Sequence, residues 1–123
     1  MATLGDRVFD NGLTVLDTEA NAIHVTSQEA TTYTEATSTY TLGNSTSLSI
    51  KAPADRSGGG RKVTVAAISD GSITADGTAT HYAIVDTTNS RLLATAALTA
   101  SQSVTNGNTF TLATFDIGIP DPA

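Results

Sequence analysis

The chain has 123 residues, a formal net charge of −6 and no cysteine. Its length fits one domain with a core large enough to fold unaided, and we expect a single domain over residues 1–123. The lack of cysteine excludes disulfides and thiolate metal sites. Only 15% of the residues are charged, and the abundance of threonine and alanine favours strands over solvated helices.

The charges are spread unevenly along this acidic chain. Lys51, Arg56, Arg61 and Lys62 lie close together in sequence around the single acid Asp55. Nucleic-acid binding requires several clustered cations to neutralise phosphates, so we expect no nucleic-acid partner. The apolar runs are far shorter than the roughly 20 residues that span a bilayer, and we expect a soluble protein made without an export signal.

The first predicted element is a helix over residues 3–19. Thr3 is a suitable N-cap, with Asp6 three positions later. Gly12 weakens the helix by about 1 kcal/mol relative to alanine, and Asn11-Gly12 could instead form a turn between two shorter pieces. We expect the helix to bury an apolar stripe against the sheet or a neighbouring subunit. The stripe comprises Leu4, Val8, Phe9, Leu13 and Leu16.

Two short strands are predicted within residues 22–50. Residues 22–26 form a β-branched run, and residues 48–50 alternate between polar and apolar side chains. Both patterns are typical of strands.

The segment between these strands, residues 27–47, is polar and rich in threonine. Its large apolar residues are Tyr33, Tyr40 and Leu42, and we predict a long surface loop with one helical turn near residues 34–38. A long segment without strong periodicity is often ordered by a partner. We therefore treat Tyr33 and Tyr40 as candidate interface residues.

The second half of the chain, residues 61–119, repeats short strand patterns separated by turn signals. Strands are predicted at residues 62–68, 72–75, 78–86, 91–98, 102–105 and 109–119. Turns are predicted at residues 70–71, 76–77, 87–90 and 106–107. This spacing predicts a mainly β fold, an antiparallel β-sandwich of jelly-roll or Ig-like type, with one short N-terminal α-helix.

Two of these strands have additional features. Residues 78–86 carry apolar side chains on both faces, which indicates a strand covered on both sides. The last strand changes parity between Leu112 and Phe115, so we expect a bulge or bend near Ala113-Thr114.

The residues that usually carry chemistry are few and scattered. His24 and His81 do not match a metal-ligand spacing and are expected to be packed within strands. No serine lies in a Gly-x-Ser-x-Gly motif, and the Asp70 to Gly77 segment offers too few oxygen ligands for calcium. We predict no catalytic residue, no cofactor and no metal site, and hence no enzyme.

Three cations flank the glycines at positions 58–60, and we call Arg56, Arg61 and Lys62 the basic island. Glycines expose backbone N–H groups and the cations favour an anion. The P-loop spacing is absent, so the simplest interpretation is a mobile hairpin tip. If the island has a function, we expect docking to an acidic patch on a protein partner.

Several stretches together resemble a group of small virion-associated structural proteins of tailed bacteriophages. They are residues 27–37, 55–57, 60–65, 77–83, 91–94, 107–110 and 116–120. The resemblance spans most of the chain and implies a building block of the particle, located in the virion after assembly in the host cytoplasm.

The leading hypothesis is a capsid decoration or auxiliary head protein. Its partners would be the major capsid protein or other virion proteins, with homo-oligomers formed as well, and neither nucleic acid nor a membrane would be bound. The alternatives are a neck, tail or fibre component, or a host-surface or carbohydrate-binding module. The last of these would need aromatic side chains to stack on sugars, and the chain has only six.

Overall fold

The computed structural model describes the backbone of residues 6–119 and the side chains of residues 10–119. In chain order the elements are α1 (Asp6–Glu19), β1 (Ala22–Thr26), a π-helical turn (Glu35–Thr39), β2 (Thr41–Ser45), β3 (Ala54–Asp55), β4 (Arg61–Val65), β5 (Ile68–Ile73), β6 (Gly77–Asp86), β7 (Arg91–Val104), β8 (Thr109–Leu112) and β9 (Phe115–Ile119). All strand pairs are antiparallel. The predicted mainly β, sandwich-like class with one N-terminal helix is therefore confirmed.

The chain divides into two compact units. The helical unit consists of Met1–Glu19, Ser49–Ala67 and Ala113–Ala123, and the sheet unit consists of Ala20–Leu48 and Ile68–Leu112. The helical unit contains α1 and a three-stranded sheet in the order β3-β4-β9. The sheet unit contains six strands in the order β7-β6-β1-β2-β5-β8.

Strand β1 lies in the interior of the six-stranded sheet and pairs with β6 and β2. The predicted strand over residues 22–26 is confirmed, and all five of its residues are buried. On β6, Ile84 and Val85 point to opposite faces and are both 0% exposed. This confirms the expectation that the strand over residues 78–86 is covered on both sides.

One face of β1 and β6 is covered by the segment that follows β1. Five small buried residues form a cluster there, and Tyr33 and Tyr40 pack against it. The cluster comprises Ala22, Ala30, Ala36, Ala83 and Val85. The predicted helical turn near residues 34–38 is confirmed as the π-helical turn.

The prediction of a loop throughout residues 27–47 was wrong, because β2 occupies Thr41–Ser45 between β1 and β5. Its sequence has a single large apolar residue, Leu42, and contains Gly43, which is usually unfavourable in strands. At Gly43 a Cβ atom would collide with the carbonyl oxygen of Ser72 on β5. Glycine is therefore needed here for the close approach of two backbones.

The turn predicted at residues 70–71 is also wrong, because these residues lie inside β5. Gly71 pairs with Phe110 of β8, and the Phe110 ring occupies the space where a Gly71 side chain would lie. The strand predicted at residues 48–50 is reduced to an isolated bridge between Ile50 and Val65. The run over residues 62–68 is interrupted after Val65, where β4 ends.

The strands predicted at residues 91–98 and 102–105 are one element, the 14-residue β7. The turns predicted at residues 87–90 and 106–107 are present. The expected irregularity at Ala113-Thr114 is also confirmed, since β8 ends at Leu112 and β9 begins at Phe115. The two strands belong to different sheets.

In the helical unit, α1 packs beside β4. Leu13 and Leu16 are buried, as predicted for the apolar stripe, and Val63 and Val65 of β4 are buried too. Leu4 lies outside the described residues. The side chains of Val8 and Phe9 also lie outside the described part, although α1 includes both positions.

Candidate interaction surfaces

Arg61 of the basic island is held by carboxylates of its own unit. Its Nε and Nη2 atoms donate to the two carboxylate oxygens of Asp10, at 2.8 and 3.2 Å, and Nη1 donates to Asp55 at 2.6 Å. The Arg61 side chain is only 16% exposed. Arg61 thus connects α1 to β4, which gives it a structural role that its position in the sequence does not reveal.

Lys62 is also paired with an acid. Its Nζ atom lies 3.0 Å from Oδ2 of Asp116 on β9, and the Thr64 hydroxyl donates to the other Asp116 oxygen at 2.7 Å. Hydrogen bonds from Thr64 and then from Lys62 lower the pKa of Asp116. The carboxylate is therefore ionised near neutral pH and offsets the charge of Lys62.

Arg56 is the member of the basic island that has no carboxylate partner among the described residues. It lies at the end of the β3–β4 hairpin, where Gly58, Gly59 and Gly60 all have positive φ angles of 88°, 107° and 88°. The Arg56 N–H donates to the Gly60 carbonyl at 3.1 Å, and its Nη1 donates to the Gly59 carbonyl at 3.0 Å. The hairpin tip is thus a turn with defined hydrogen bonds, and its mobility stays a prediction.

The tyrosines proposed as interface residues contact their own unit. Tyr33 and Tyr40 are half-buried against the alanine and valine cluster. Nearby, Glu35 accepts hydrogen bonds from the Thr31 N–H at 2.8 Å and the Thr31 hydroxyl at 2.7 Å. Segment 27–40 therefore makes contacts within its own unit, and its further ordering by a partner stays a prediction.

The two histidines lie on β1 and β6 and contact threonines. His24 is buried, and its Nδ1 atom lies 2.8 Å from the Thr41 hydroxyl. Burial lowers the pKa of His24, so its ring is neutral near pH 7. His81 contacts the hydroxyl of Thr80 at 2.8 Å. Within residues 6–119, no three His, Asp or Glu residues are close enough to hold a metal ion.

A buried carboxylate, Asp86, fixes the turn between β6 and β7. It is 2% exposed and accepts hydrogen bonds from the Thr88 N–H and from the Asn89 N–H and side-chain amide. The Asn89 side chain is the main reason that the pKa of Asp86 is lowered. Asn21 accepts a further bond from the Thr87 N–H at 2.9 Å. These hydrogen bonds give Asp86 a structural role in the turn between β6 and β7.

Strand β7 forms one edge of the six-stranded sheet and pairs, within the described chain, with β6 alone. None of its 14 residues is buried. The strand patterns in the sequence did not predict this surface. A signal was nevertheless present, because residues 92–115 contain no Asp, Glu, Lys or Arg in a chain of net charge −6.

Two irregularities divide this edge. Residues 98–101 all lie opposite the single residue Thr80, and Leu93 is an extra residue between the pairs Ile84–Ala94 and Val85–Leu92. Bulges of this kind are common on edge strands and prevent long uninterrupted pairing. The regular stretches that remain are residues 91–92, 94–97 and 102–104.

No helix in the described part of the chain is long and apolar enough to cross a membrane. Comparisons with protein-family models, with curated proteins and with solved structures found no match for this chain.

Proposed function

We propose that this chain is a non-catalytic structural protein that assembles with other protein subunits, and that the β7 edge is its pairing surface. The observation that carries the proposal is the long, exposed and almost uncharged strand at the end of the sheet. Such an edge presents N–H and C=O groups that a strand of another subunit can pair with. We expect a second copy of this chain to pair there in antiparallel orientation.

The bulges limit the length over which another strand can pair with this edge. A partner strand has only the short regular stretches at residues 91–92, 94–97 and 102–104 available, so each contact is modest. Many modest contacts add up to strong retention when subunits bind a symmetric shell. The edge therefore suits a protein that is stable alone and binds firmly only in an assembly.

In its finer form, the proposal is a capsid decoration or auxiliary head protein of a tailed bacteriophage. It is supported by the resemblance of several stretches, among them residues 27–37 and 77–83, to small virion proteins. Quantitative mass spectrometry of purified particles tests this form. We expect a copy number comparable to that of the shell protein, and a few copies per particle would instead indicate a neck, tail or fibre component.

The edge itself is tested with a double variant, Ala96→Asp with Ala97→Asp. Both alanines are exposed on the longer regular stretch. In an antiparallel pair of copies centred between positions 96 and 97, each new carboxylate would face one from the other copy on the same side of the sheet, and like charges across an interface cost several kcal/mol. Light scattering or sedimentation should show self-association weakened at least about tenfold.

A matched control places two carboxylates on an interior strand, as Ser69→Asp with Ser72→Asp on β5. Both serines are exposed, and β5 is paired on both sides. This control adds the same two charges as the edge variant, and we expect it to associate much more strongly than the edge variant does. If the edge variant also associates normally while remaining folded, β7 is not the pairing surface.

A further inference from the structure

The helical unit contains a polar cavity of about 380 Å³ beside the β3–β4 hairpin. Arg56 and Ser57 line it from the hairpin tip, Lys62 from β4, and Asp116 and Gly118 from β9. Its lining thus contains two cations and one carboxylate. A cavity of this size admits a small charged group such as the end of an amino-acid side chain.

Arg56 is positioned by its surroundings before any ligand arrives. One of its N–H groups is used by the Gly59 carbonyl, at 3.0 Å from Nη1. Its aliphatic stem lies against Gly118, where an added Cβ would come within 3.0 Å of the Arg56 Cδ and 3.1 Å of Nε. The Nε and Nη2 N–H groups make no hydrogen bond within the described part of the chain. They are available to an acceptor in the geometry that favours bidentate binding.

The charge balance of the cavity selects among anions. Lys62 is paired with Asp116 at 3.0 Å, so the net charge of the three groups is that of Arg56 alone. One carboxylate neutralises this charge. A phosphate dianion would carry one negative charge more than Arg56 balances. That charge would lie in the same cavity as the ionised Asp116, and like charges repel.

We propose that this cavity binds a single carboxylate from an acidic side chain of a partner protein. The Arg56 guanidinium and the exposed Ser57 donate hydrogen bonds to it. The choice of a protein as the source of the carboxylate rests on the proposed assembly function. The binding of a carboxylate by the isolated chain does not depend on that assembly function.

The test is a titration of the isolated, isotope-labelled protein with the capped peptide Ac-Ala-Glu-Ala-NH₂, followed by NMR at constant ionic strength. The Arg56 Nε–H and Ser57 N–H signals should shift in a saturable way. The peptide with Gln in place of Glu should not produce this effect. Inorganic phosphate at pH 7.5 should bind more weakly than the Glu peptide.

Two variants and one control locate the site. Arg56→Gln should weaken peptide binding by about tenfold or more, because it removes the charge-assisted hydrogen bonds. Gly118→Ala keeps every charge but displaces the Arg56 side chain, and it should also weaken binding. Lys51→Gln removes the same charge at an exposed position outside the cavity and should bind normally.

Three results would overturn the carboxylate site: no saturable shift, equal binding of the Gln peptide, or tighter binding of phosphate. Assembly, measured as self-association by light scattering or sedimentation, is read separately. If the Arg56→Gln variant no longer binds the Glu peptide but assembles like the unchanged protein, the partner in the assembly does not supply the carboxylate. If the unchanged protein binds the peptide but never assembles, the proposed function fails while the site stands.

Discussion

At the scale of single residues, Gly43 allows β2 and β5 to pair closely. A side chain at this position would collide with the Ser72 carbonyl oxygen and lie 3.0 Å from the Ile73 Cα. Both of these atoms belong to the backbone of β5, so neither can move without distorting that strand. We expect Gly43→Ala to lower the free energy of unfolding by about 1–3 kcal/mol, measured by urea denaturation.

Gly12→Ala is the matched control, because it makes the same chemical change within α1. An added Cβ there meets only Ile119 Cδ1 at 4.0 Å, an ordinary contact. Alanine favours helix over glycine, so the free energy of unfolding should rise by roughly 0.5–1 kcal/mol. If the two variants had the same effect, the close approach of β2 and β5 would not be the limiting feature.

His24 makes stability depend on pH, because burial lowers its pKa in the folded protein. Below about pH 6.5 the unfolded chain binds a proton that folded His24 resists, so the unfolded state is favoured. The free energy of unfolding should therefore decrease as pH falls from about 7.5 towards the pKa of folded His24.

His24→Gln should remove this part of the pH dependence, whereas His81→Gln should retain it. Denaturation curves at three pH values between about 7.5 and 5.5 provide the measurement. A slope that survives in His24→Gln would assign the pH dependence to other groups. Asp86 and Asp116 have lowered pKa values, and they lose their stabilising effect only at more acidic pH.

At the scale of elements, local sequence patterns predicted β1, β6 and the described part of α1 well. Residues 22–26 are β-branched or apolar almost throughout, and residues 78–86 sit between clear turn signals. Strand β2 could not be predicted in this way, because its only large apolar residue is Leu42 and its stability comes from pairing with β1 and β5. The same holds for Gly71, which pairs with Phe110 of β8 and has the Phe110 ring where a side chain would lie.

The candidate site was less predictable than the elements. The three cations Arg56, Arg61 and Lys62 lie close together in sequence, and the local sequence does not show which of them is paired with an acid. Their difference arises from acids far along the chain: Asp10 lies 51 residues from Arg61, and Asp116 lies 54 residues from Lys62. Only the folded chain distinguishes the paired cations from Arg56.

The apolar stripe of α1 gives a prediction at the element scale. Leu13 and Leu16 are buried, while Val15 on the same helix is 36% exposed. Leu13→Ala and Leu16→Ala should each lower the free energy of unfolding by about 2–5 kcal/mol, as for buried leucines generally. Val15→Ala should change it by less than about 1 kcal/mol.

Thermal and urea denaturation of the three purified variants provide the comparison. Similar small effects for all three would mean that α1 contributes little to the stability of the helical unit, and the interpretation of the stripe as a packing surface would be wrong.

At the scale of the whole molecule, the net charge of −6 makes the two proposed surfaces respond to salt in opposite ways. Two copies repel each other at long range, and residues 92–104 of the β7 edge carry no charge that could offset this repulsion. Salt screens the repulsion, with a Debye length of about 10 Å at 0.1 M. Self-association should therefore strengthen between about 50 and 500 mM NaCl.

Binding of the Glu peptide at Arg56 should weaken over the same range, because salt screens an attraction there. Sedimentation velocity and the NMR titration measure the two effects on one preparation. Self-association that weakens with salt would indicate a contact between opposite charges and would contradict pairing through β7. Peptide binding that does not change with salt would contradict a contact formed by the Arg56 charge.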